Sequence, residues 1–418
     1  MYQRYELNNG IQIVTEKIPH FRSVSIGMWF KVGSVDENEK ENGLSHFIEH
    51  MLFKGTINRT AKEIAETMDA VGGQLNAFTA KECTCFYCKV IDEHLDLALD
   101  LLSDMILNST FDDTELQKEK GVVLEEIYMY EDSPEDLVYD LVSSTYFGSH
   151  RLGQPILGTI ENLNRFTRDE VLAFFNRFYT PNNMVISVAG NFDENNLISL
   201  IEKYFGQWDK SYIERQQHSS GKSNKRFAFK KKDIEQAHLC IAGPGVQLGD
   251  DNVYPVLVFN NLFGGGMSSR LFQEIREERG LAYSVFSYPS SYLSGGLFTI
   301  YAGTKPEQIT TVASLIKEEI GKIKSRGVSK EEFQKAKEQL KGNYILGLES
   351  TSSRMIAIGR SQLLLERITT PAEILNKIDK VSIDDVYGII DEILDPDKFV
   401  VATVARDDWT EELMKIFD

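Results

Sequence analysis

The chain has few cysteines and no long apolar run, and both absences limit what it can be. Only four cysteines occur in 418 residues, and three of them lie together at Cys83, Cys85 and Cys88. Small secreted domains distribute cysteines along the chain as disulfides, so we expect no disulfide framework. No stretch approaches the roughly 18 apolar residues of a transmembrane helix, and the first residues lack the basic and apolar pattern of a leader. These features predict a cytoplasmic protein.

Positive charge is also scarce. The chain has 45 Lys and Arg residues against 63 Asp and Glu residues, which gives a formal net charge of -18. A surface with this balance repels nucleic-acid phosphates and anionic lipid headgroups. We therefore expect neither nucleic acid nor membrane as a partner. Hydrophobic residues make up 42% of the chain, which is enough for a folded core and too much for a disordered protein.

Length and an internal repeat predict two domains. The 418 residues exceed the roughly 250–300 at which a single hydrophobic core stops growing. A polar segment, 209–226, is typical of a linker and separates an N-terminal domain, 1–208, from a C-terminal domain, 227–418. The segments LQKEK, from Leu116, and FQKAK, from Phe333, are similar. They indicate that the two halves are diverged copies of one unit.

Strand and helix patterns alternate within each half. Runs such as VSIGMWF and FVVATVA are rich in β-branched and aromatic residues and are typical of strands, whereas LDLALDLLSDMIL has the apolar spacing of a helix. This mixture predicts an α+β fold with two homologous domains. We expect each domain to be a mostly antiparallel β-sheet packed with α-helices.

The segment GLSHFIEHMLFKGT carries the strongest functional pattern. His46, Glu49 and His50 are spaced i, i+3 and i+4, so on a helix they share a stripe roughly 100° wide. Two imidazoles one turn apart suit tetrahedral Zn²⁺, and Glu49 beside them is placed to act as a general base toward water. A solvated helix could carry the same residues by chance. The apolar neighbours Phe47 and Ile48 favour metal ligation, because an unpaired imidazole among them is costly.

A catalytic zinc site requires a third protein ligand. Glu119 and Glu126 lie seven residues apart in LQKEKGVVLEE, so two helical turns place both on one face. From the residues alone, either carboxylate could bind the metal while the other orients a histidine. We predict one Zn²⁺ per chain, although other first-row ions compete for the same ligands.

These segments resemble the inverted zincins of the insulinase and pitrilysin family, and most closely the short-chain branch that includes the mitochondrial processing peptidase β subunit and bacterial processing proteases. HFIEHMLFKGT, GGQLNAFTAKECT and ELQKEKGVVLEE stand in the family's order and spacing, and the resemblance covers nearly the whole chain. It implies a zinc-dependent endopeptidase in which Glu126 is the third zinc ligand and Glu119 supports the site from behind it.

The resemblance also implies where a peptide substrate binds. In the family an extended peptide adds as a further strand to a sheet edge, although the matching segment taken alone fits an ordinary edge strand. The matching residues are Gly73, Asn76, Ala77, Phe78 and Thr79.

A second substrate contact is implied in the C-terminal half. Arg276 and Tyr283, in RLFQEIREERGLAYSV, match family residues that stabilise the substrate carbonyl during hydrolysis. By themselves they fit a salt-bridged surface helix with a packed tyrosine. A constant offset between the repeats places His46 opposite Phe263 and His50 opposite Met267, so we expect a metal site in the N-terminal half alone.

The family resemblance further implies an assembly and a substrate class. Long family members join four such units into a chamber, whereas this chain has two, so we expect a homodimer that encloses unstructured or presequence-like peptides. In this homodimer the zinc-binding half of one subunit faces Arg276 and Tyr283 of the other. The alternative is a non-catalytic peptide-binding or scaffold subunit of the same fold. We interpret Cys83, Cys85 and Cys88 as buried strand residues without an assigned role.

Overall fold

The structure is a computed structural model that describes residues 2–209 and 225–417. Most of the predicted linker, 210–224, lies outside these described residues. The described chain forms two compact units. The first unit comprises residues 2–128, 154–209 and 347–369, and the second comprises residues 129–153, 225–346 and 370–417.

Strands and helices follow one another along both halves of the chain. The strands are β1 (Tyr2–Glu6), β2 (Gln12–Lys17), β3 (Ser23–Phe30), β4 (Gln74–Thr79), β5 (Thr84–Ile91), β6 (Met184–Gly190), β7 (Phe227–Lys231), β8 (Ala237–Pro244), β9 (Ala282–Tyr292), β10 (Gly295–Thr304) and β11 (Val400–Ala405). The helices are α1 (Leu44–Met51), α2 (Ala61–Asp69), α3 (Leu95–Leu107), α4 (Asp113–Glu131), α5 (Pro134–Phe147), α6 (Ile160–Arg165), α7 (Arg168–Phe178), α8 (Glu194–Phe205), α9 (Val253–Phe263), α10 (Ile309–Arg326), α11 (Lys330–Gly347), α12 (Thr351–Leu365), α13 (Pro371–Lys380), α14 (Ile383–Ile393) and α15 (Thr410–Phe417).

Each unit is built on one sheet, and the two sheets share a topology. The first has the strand order β1-β2-β6-β3-β5-β4, and the second has the order β7-β11-β8-β10-β9. The pairs β2–β6 and β7–β11 are parallel, and every other pair in these two sheets is antiparallel. The α+β fold with two mostly antiparallel sheets is therefore confirmed. Strands β4 and β9 form corresponding edges.

Each unit has its own hydrophobic core between sheet and helices. The first core includes the buried rings of Phe30, Phe47 and Phe86, and the second includes those of Phe259 and Phe298. Burial of one such side chain contributes about 1.5–3 kcal/mol to folding. The apolar positions of the strand and helix patterns are thus the residues that hold each unit together.

One helix of each unit comes from the other half of the sequence. Helix α5 packs on β8 and β11, and α12 packs on β2, β3 and β6. At Gly359 of α12, an added Cβ would lie 2.2 Å from Trp29 Nε1 and 2.6 Å from Ser187 Oγ. The predicted domains, 1–208 and 227–418, placed α5 in the first domain and α12 in the second, whereas in the structure each helix belongs to the other unit. An amphipathic pattern identifies an apolar face but not the sheet that covers it.

Among the described residues, no helix combines the length and apolar character that crossing a membrane requires.

Candidate metal centre

A buried carboxylate fixes the start of α1. Glu37 accepts hydrogen bonds from the backbone N–H groups of Gly43 and Ser45, at 2.8 and 2.6 Å, and from Asn42 Nδ2 at 3.0 Å. The carboxyl oxygens thereby satisfy N–H groups at the start of the helix that have no partner within it. Gly43 has φ +103°, and an added Cβ would lie 2.9 Å from the Leu157 carbonyl oxygen. Burial raises the pKa of Glu37 to about 7. Glu37 could not be identified from the sequence, because no short motif links it to the helix.

Helix α1 presents both histidines on one face. The His46 and His50 rings lie 4.6 Å apart between centroids, with planes at 61°, as expected for residues one turn apart. His46 is buried and His50 is partly buried. The opposite face of the helix is anchored in the core by Phe47, Ile48 and Met51. Core packing thus holds the two imidazoles at a defined separation.

Helix α4 brings Glu126 to both imidazoles. Glu126 Oε2 lies 3.5 Å from His46 Nε2 and 3.3 Å from His50 Nε2. In the part of the chain that the structure describes, these three residues form a group whose potential ligand atoms all lie within 4.8 Å of one another. Hydrogen bonding to His46 and His50 lowers the pKa of Glu126 well below its usual range. The carboxylate is therefore ionised, as a metal ligand must be.

Glu119 contacts the other nitrogen of His50. Its Oε1 lies 2.8 Å from His50 Nδ1, and its Oε2 lies 2.6 Å from Lys54 Nζ. Burial raises the pKa of Glu119, but the hydrogen bonds from His50 and Lys54 outweigh it and lower this pKa. The ionised carboxylate accepts a hydrogen bond from His50 Nδ1–H, which would leave the lone pair of a metal-bound imidazole on Nε2. Of the two candidate carboxylates, the geometry places Glu126 beside both Nε2 atoms and Glu119 behind His50.

The three side chains fit a divalent metal ion. Tetrahedral ligands at about 2.0–2.2 Å from zinc lie roughly 3.3–3.5 Å from one another, and Glu126 has these separations from both imidazoles. Burial lowers the pKa of His50, yet its contacts with Glu119 and Glu126 outweigh burial and raise this pKa to about 9. The position therefore favours positive charge. His46 differs from His50, since its buried Nδ1 finds no hydrogen-bond partner among the described residues.

Glu49 projects beside this group without joining it. Its Oε2 accepts a hydrogen bond of 2.6 Å from the hydroxyl of Thr79, the last residue of β4. Burial raises the pKa of Glu49, and the Thr79 hydrogen bond opposes this effect. A desolvated carboxylate held in one orientation is suited to accept and donate a proton. Thr79 was predicted as a substrate contact, whereas in the structure it contacts the predicted base.

The sequence matches two family models that together span most of the chain. "Insulinase (Peptidase family M16)" matches residues 12–160, and "Peptidase M16 inactive domain" matches residues 165–340. The uncharacterized zinc protease YmxG of Bacillus subtilis is 46% identical over 401 residues, which cover 95% of this chain and 97% of that protein. The chain belongs to peptidase family M16. The predicted resemblance to the insulinase family is thereby confirmed.

A further relative is similar in sequence, and two solved structures are similar in fold. An uncharacterized zinc protease of Streptomyces coelicolor is 40% identical over 399 residues, which cover 94% of this chain and 87% of that protein. The fold is similar to that of a protease from Helicobacter pylori, with a TM-score of 0.92 at 20% identity over 97% of this chain and 99% of that one. A peptidase M16 inactive domain from Pseudomonas fluorescens has a TM-score of 0.90 at 19% identity over 98% of each chain. Relatives named as zinc proteases, together with the His-His-Glu group, identify zinc as the implied metal.

Strand β4 of this M16 fold is an edge strand, as the sequence predicted. It pairs with β5 on one side, in a register that joins Asn76 to Tyr87. The Asn76 side chain accepts a hydrogen bond of 2.8 Å from Ala77 N, and the Phe78 ring lies edge-on to Trp29 at 5.6 Å. Gly73 precedes the strand, where an added Cβ would meet Met68 Sδ at 2.2 Å. Peptide binding along this edge stays a prediction.

Arg276 and Tyr283 lie together in the second unit. Arg276 belongs to a π-helical segment, Phe272–Glu277, and its guanidinium lies 4.8 Å from the centre of the Tyr283 ring. Tyr283 is 75% exposed, so it is a surface tyrosine and not the packed one of the alternative interpretation. Arg276 also lines a cavity of about 400 Å³ together with Phe272 and Met267. Contact of either residue with substrate stays a prediction.

The three clustered cysteines are buried. Cys83, Cys85 and Cys88 are buried and form no disulfide. Burial raises the pKa of Cys88 to about 12 and that of Cys85 well above its ordinary value. Thiols in this state are poor metal ligands and poor nucleophiles. The prediction of buried strand cysteines is confirmed for Cys85 and Cys88, which lie in β5, whereas buried Cys83 immediately precedes that strand.

Proposed function

We propose that this M16 protein is a zinc-dependent endopeptidase that hydrolyses unstructured or presequence-like peptides. His46, His50 and Glu126 would hold one zinc ion per chain, and the bound ion would supply Lewis acidity at the scissile carbonyl. The observation that carries the proposal is the convergence of these three side chains beside Glu49, which lies outside their ligand group.

Glu49 has the role of general base and acid. Its carboxylate accepts a proton from the attacking water and then delivers it to the nitrogen of the departing amine. The Thr79 hydroxyl donates to Oε2, which keeps the carboxylate plane fixed and leaves Oε1 for the water. Arg276 and Tyr283 would donate hydrogen bonds to the oxyanion that develops on the substrate carbonyl.

An extended peptide is the substrate form that suits an edge strand. Main-chain groups of the peptide would pair with β4 along Gly73, Asn76, Ala77, Phe78 and Thr79. Such pairing depends little on the amino-acid sequence of the peptide. We also propose a cytoplasmic homodimer in which Arg276 and Tyr283 of one subunit serve the zinc site of the other. Sedimentation that shows a fully active monomer at micromolar concentration would contradict this assembly.

Metal analysis combined with a quenched-fluorescence peptide library tests the proposed function. Wild-type protein should contain one zinc per chain and cleave peptides, and phenanthroline should abolish cleavage. Glu49→Gln should retain zinc and lose about 10²–10⁴-fold in kcat, because proton transfer contributes this much. Glu125→Gln, at an exposed position of α4, serves as the matched control with unchanged turnover.

A non-catalytic peptide-binding or scaffold subunit is the second candidate. Residues 165–340 match the M16 inactive domain, which supports this candidate. However, His46, Glu49, His50 and Glu126 lie outside the matched residues. Peptide binding without cleavage in zinc-loaded protein would support this candidate. Turnover by Glu49→Gln equal to that of wild type would point to a contaminating protease.

A further inference from the structure

Lys54 contacts the carboxylate that lies behind His50. Its Nζ lies 2.6 Å from Glu119 Oε2, and Glu119 Oε1 lies 2.8 Å from His50 Nδ1. One oxygen of the Glu119 carboxylate therefore contacts a cation, and the other contacts an imidazole. Only 4% of the Glu119 side chain is exposed, against 28% for Lys54. A carboxylate this buried is costly unless charged and polar partners satisfy it.

The backbone of Lys54 is tied to the helix that carries the histidines. Lys54 N donates to the Met51 carbonyl at 3.0 Å, and Phe53 N donates to the His50 carbonyl at 3.2 Å. The chain then turns at Gly55, where φ is +120°. The ammonium group is therefore held one turn beyond His50 by the same segment that positions the imidazole.

We propose that Lys54 is a positioning residue for the metal site, which holds Glu119 in the orientation that supports His50 and so increases zinc affinity. The inference rests on the proposed function, because it requires His50 to bind zinc. Carboxylates that accept the second N–H of a ligand histidine fix its ring orientation, and their loss typically costs 10–100-fold in metal affinity. Lys54 would act one step further away, through Glu119.

Charge and orientation predict opposite effects for removal of Lys54. Glu49, Glu119 and Glu126 are three carboxylates at this site, and Lys54 is a cation in contact with one of them. If Lys54 contributed only its charge, its removal would strengthen binding of a divalent cation, because it repels that cation. If Lys54 orients Glu119, its removal weakens binding. The sign of the change in affinity distinguishes the two cases.

Zinc dissociation constants measured by competition with a chromophoric chelator test the inference. We expect Lys54→Met to weaken zinc binding by about 10-fold or more. Lys54→Arg, which keeps a cation on Glu119, should remain within about 3-fold of wild type. Lys118→Met is the matched control, because Lys118 lies on α4 and pairs with Glu115 at 2.6 Å with 65% of its side chain exposed. It should leave zinc affinity unchanged.

A double variant shows whether Lys54 acts through Glu119. If it does, Lys54→Met combined with Glu119→Gln binds zinc no more weakly than Glu119→Gln alone. Zinc binding by Lys54→Met as tight as that of wild type, or tighter, would overturn the inference. Independent effects of the two substitutions would overturn it as well. Absence of zinc binding by wild-type protein would refute the proposed function itself, and with it this inference.

Discussion

Five strands follow the same order in both units, with β1 as an additional strand in the first, and the units differ at the helices beside their edge strands. Helix α1 packs against β4, and helix α9 packs against β9 at the corresponding place. Helix α1 carries His46 and His50, whereas the α9 sequence, VYPVLVFNNLF, contains no histidine, aspartate or glutamate. In the repeat, Glu119 and Glu126 of α4 correspond to Ala336 and Asn343 of α11. The same scaffold thus occurs with and without the His-His-Glu group, so this group depends on a few side chains and not on the fold.

Removing the third ligand is the strongest test of this difference between the units. Glu126→Gln should abolish zinc binding and lower peptide turnover by about 10³-fold, because two imidazoles alone hold zinc weakly. The counterpart variant in the second unit, Asn343→Ala, should retain one zinc per chain and full turnover. Metal analysis and peptide hydrolysis provide the measurements. An active, zinc-loaded Glu126→Gln variant would refute the ligand assignment.

Substitutions at two glycines compare the closely packed helix α12 of the first unit with helix α11, which begins in the second unit and has open space at its glycine. Gly359→Leu should destabilise the protein by about 3 kcal/mol, since even a Cβ would overlap Trp29 and Ser187. At Gly342 of α11 an added Cβ meets no atom within 4 Å, so Gly342→Ala should stabilise by about 0.5–1 kcal/mol. Urea denaturation measures both changes. Equal effects of the two substitutions would contradict the packing of α12.

Zinc removal should affect the two units unequally. At a free zinc concentration 100 times the dissociation constant, ligand binding stabilises the folded state by about 2.7 kcal/mol, and chelation removes this contribution. Hydrogen exchange should therefore accelerate at α1 and α4 after chelation and remain unchanged at α9 and the first turns of α11. Glu126→Gln, which lacks a ligand, should not respond to the chelator. Equal acceleration in both units would argue against a metal site confined to the first.

A structural carboxylate of the second unit should have a small, pH-dependent effect on stability. Burial raises the pKa of Glu332, but the hydrogen bonds from Arg270 and Ser329 outweigh it and lower this pKa to about 2. The depressed pKa contributes stability above the unfolded value near 4.5, and this contribution is lost as pH falls toward 2. Because more than a third of the side chain is exposed, we expect only about 1 kcal/mol at pH 7.

Glu332→Gln tests this contribution by denaturation at several pH values. The variant should be less stable than wild type at pH 7, and the two should converge as the pH approaches 2. Because Glu332 contacts Arg270 and not the metal group, zinc content should be unaffected. A stability difference that is constant with pH would contradict the ionic origin of the effect.

Local spacing predicted the helices of the candidate metal centre, because the residues that define them lie within short segments. The i, i+4 histidines and the seven-residue spacing of Glu119 and Glu126 survive in the structure, since helical geometry fixes both. The constant offset that matched His50 to Met267 is wrong, because α9 ends at Phe263 and Met267 lies beyond the helix. Insertions and deletions between the repeats break such an offset without leaving a local pattern.

Long-range partners could not be predicted in the same way. The exchange of α5 and α12 depends on which sheet covers an apolar helix face, and both sheets offer a similar surface. The contact of Lys54 with Glu119 joins residues far apart in sequence. Lys54 lies beyond the end of α1 at Met51, so helical spacing from His50 does not place its side chain and no local pattern marks this contact.

The late position of α12 in the sequence has a consequence for synthesis on the ribosome. Strand β6 completes the first sheet at Gly190, but the helix that covers Trp29 and Ser187 begins only at Thr351. At a synthesis rate of about 5–20 residues per second, α12 is made roughly 10–30 s after β6, and this face of the sheet stays uncovered during that interval. A nascent chain in that interval exposes the Trp29 ring and leaves Ser25 and Glu16 without their hydrogen-bond partners in α12. We therefore expect truncated chains that end before α12 to aggregate, even though they contain every predicted metal ligand.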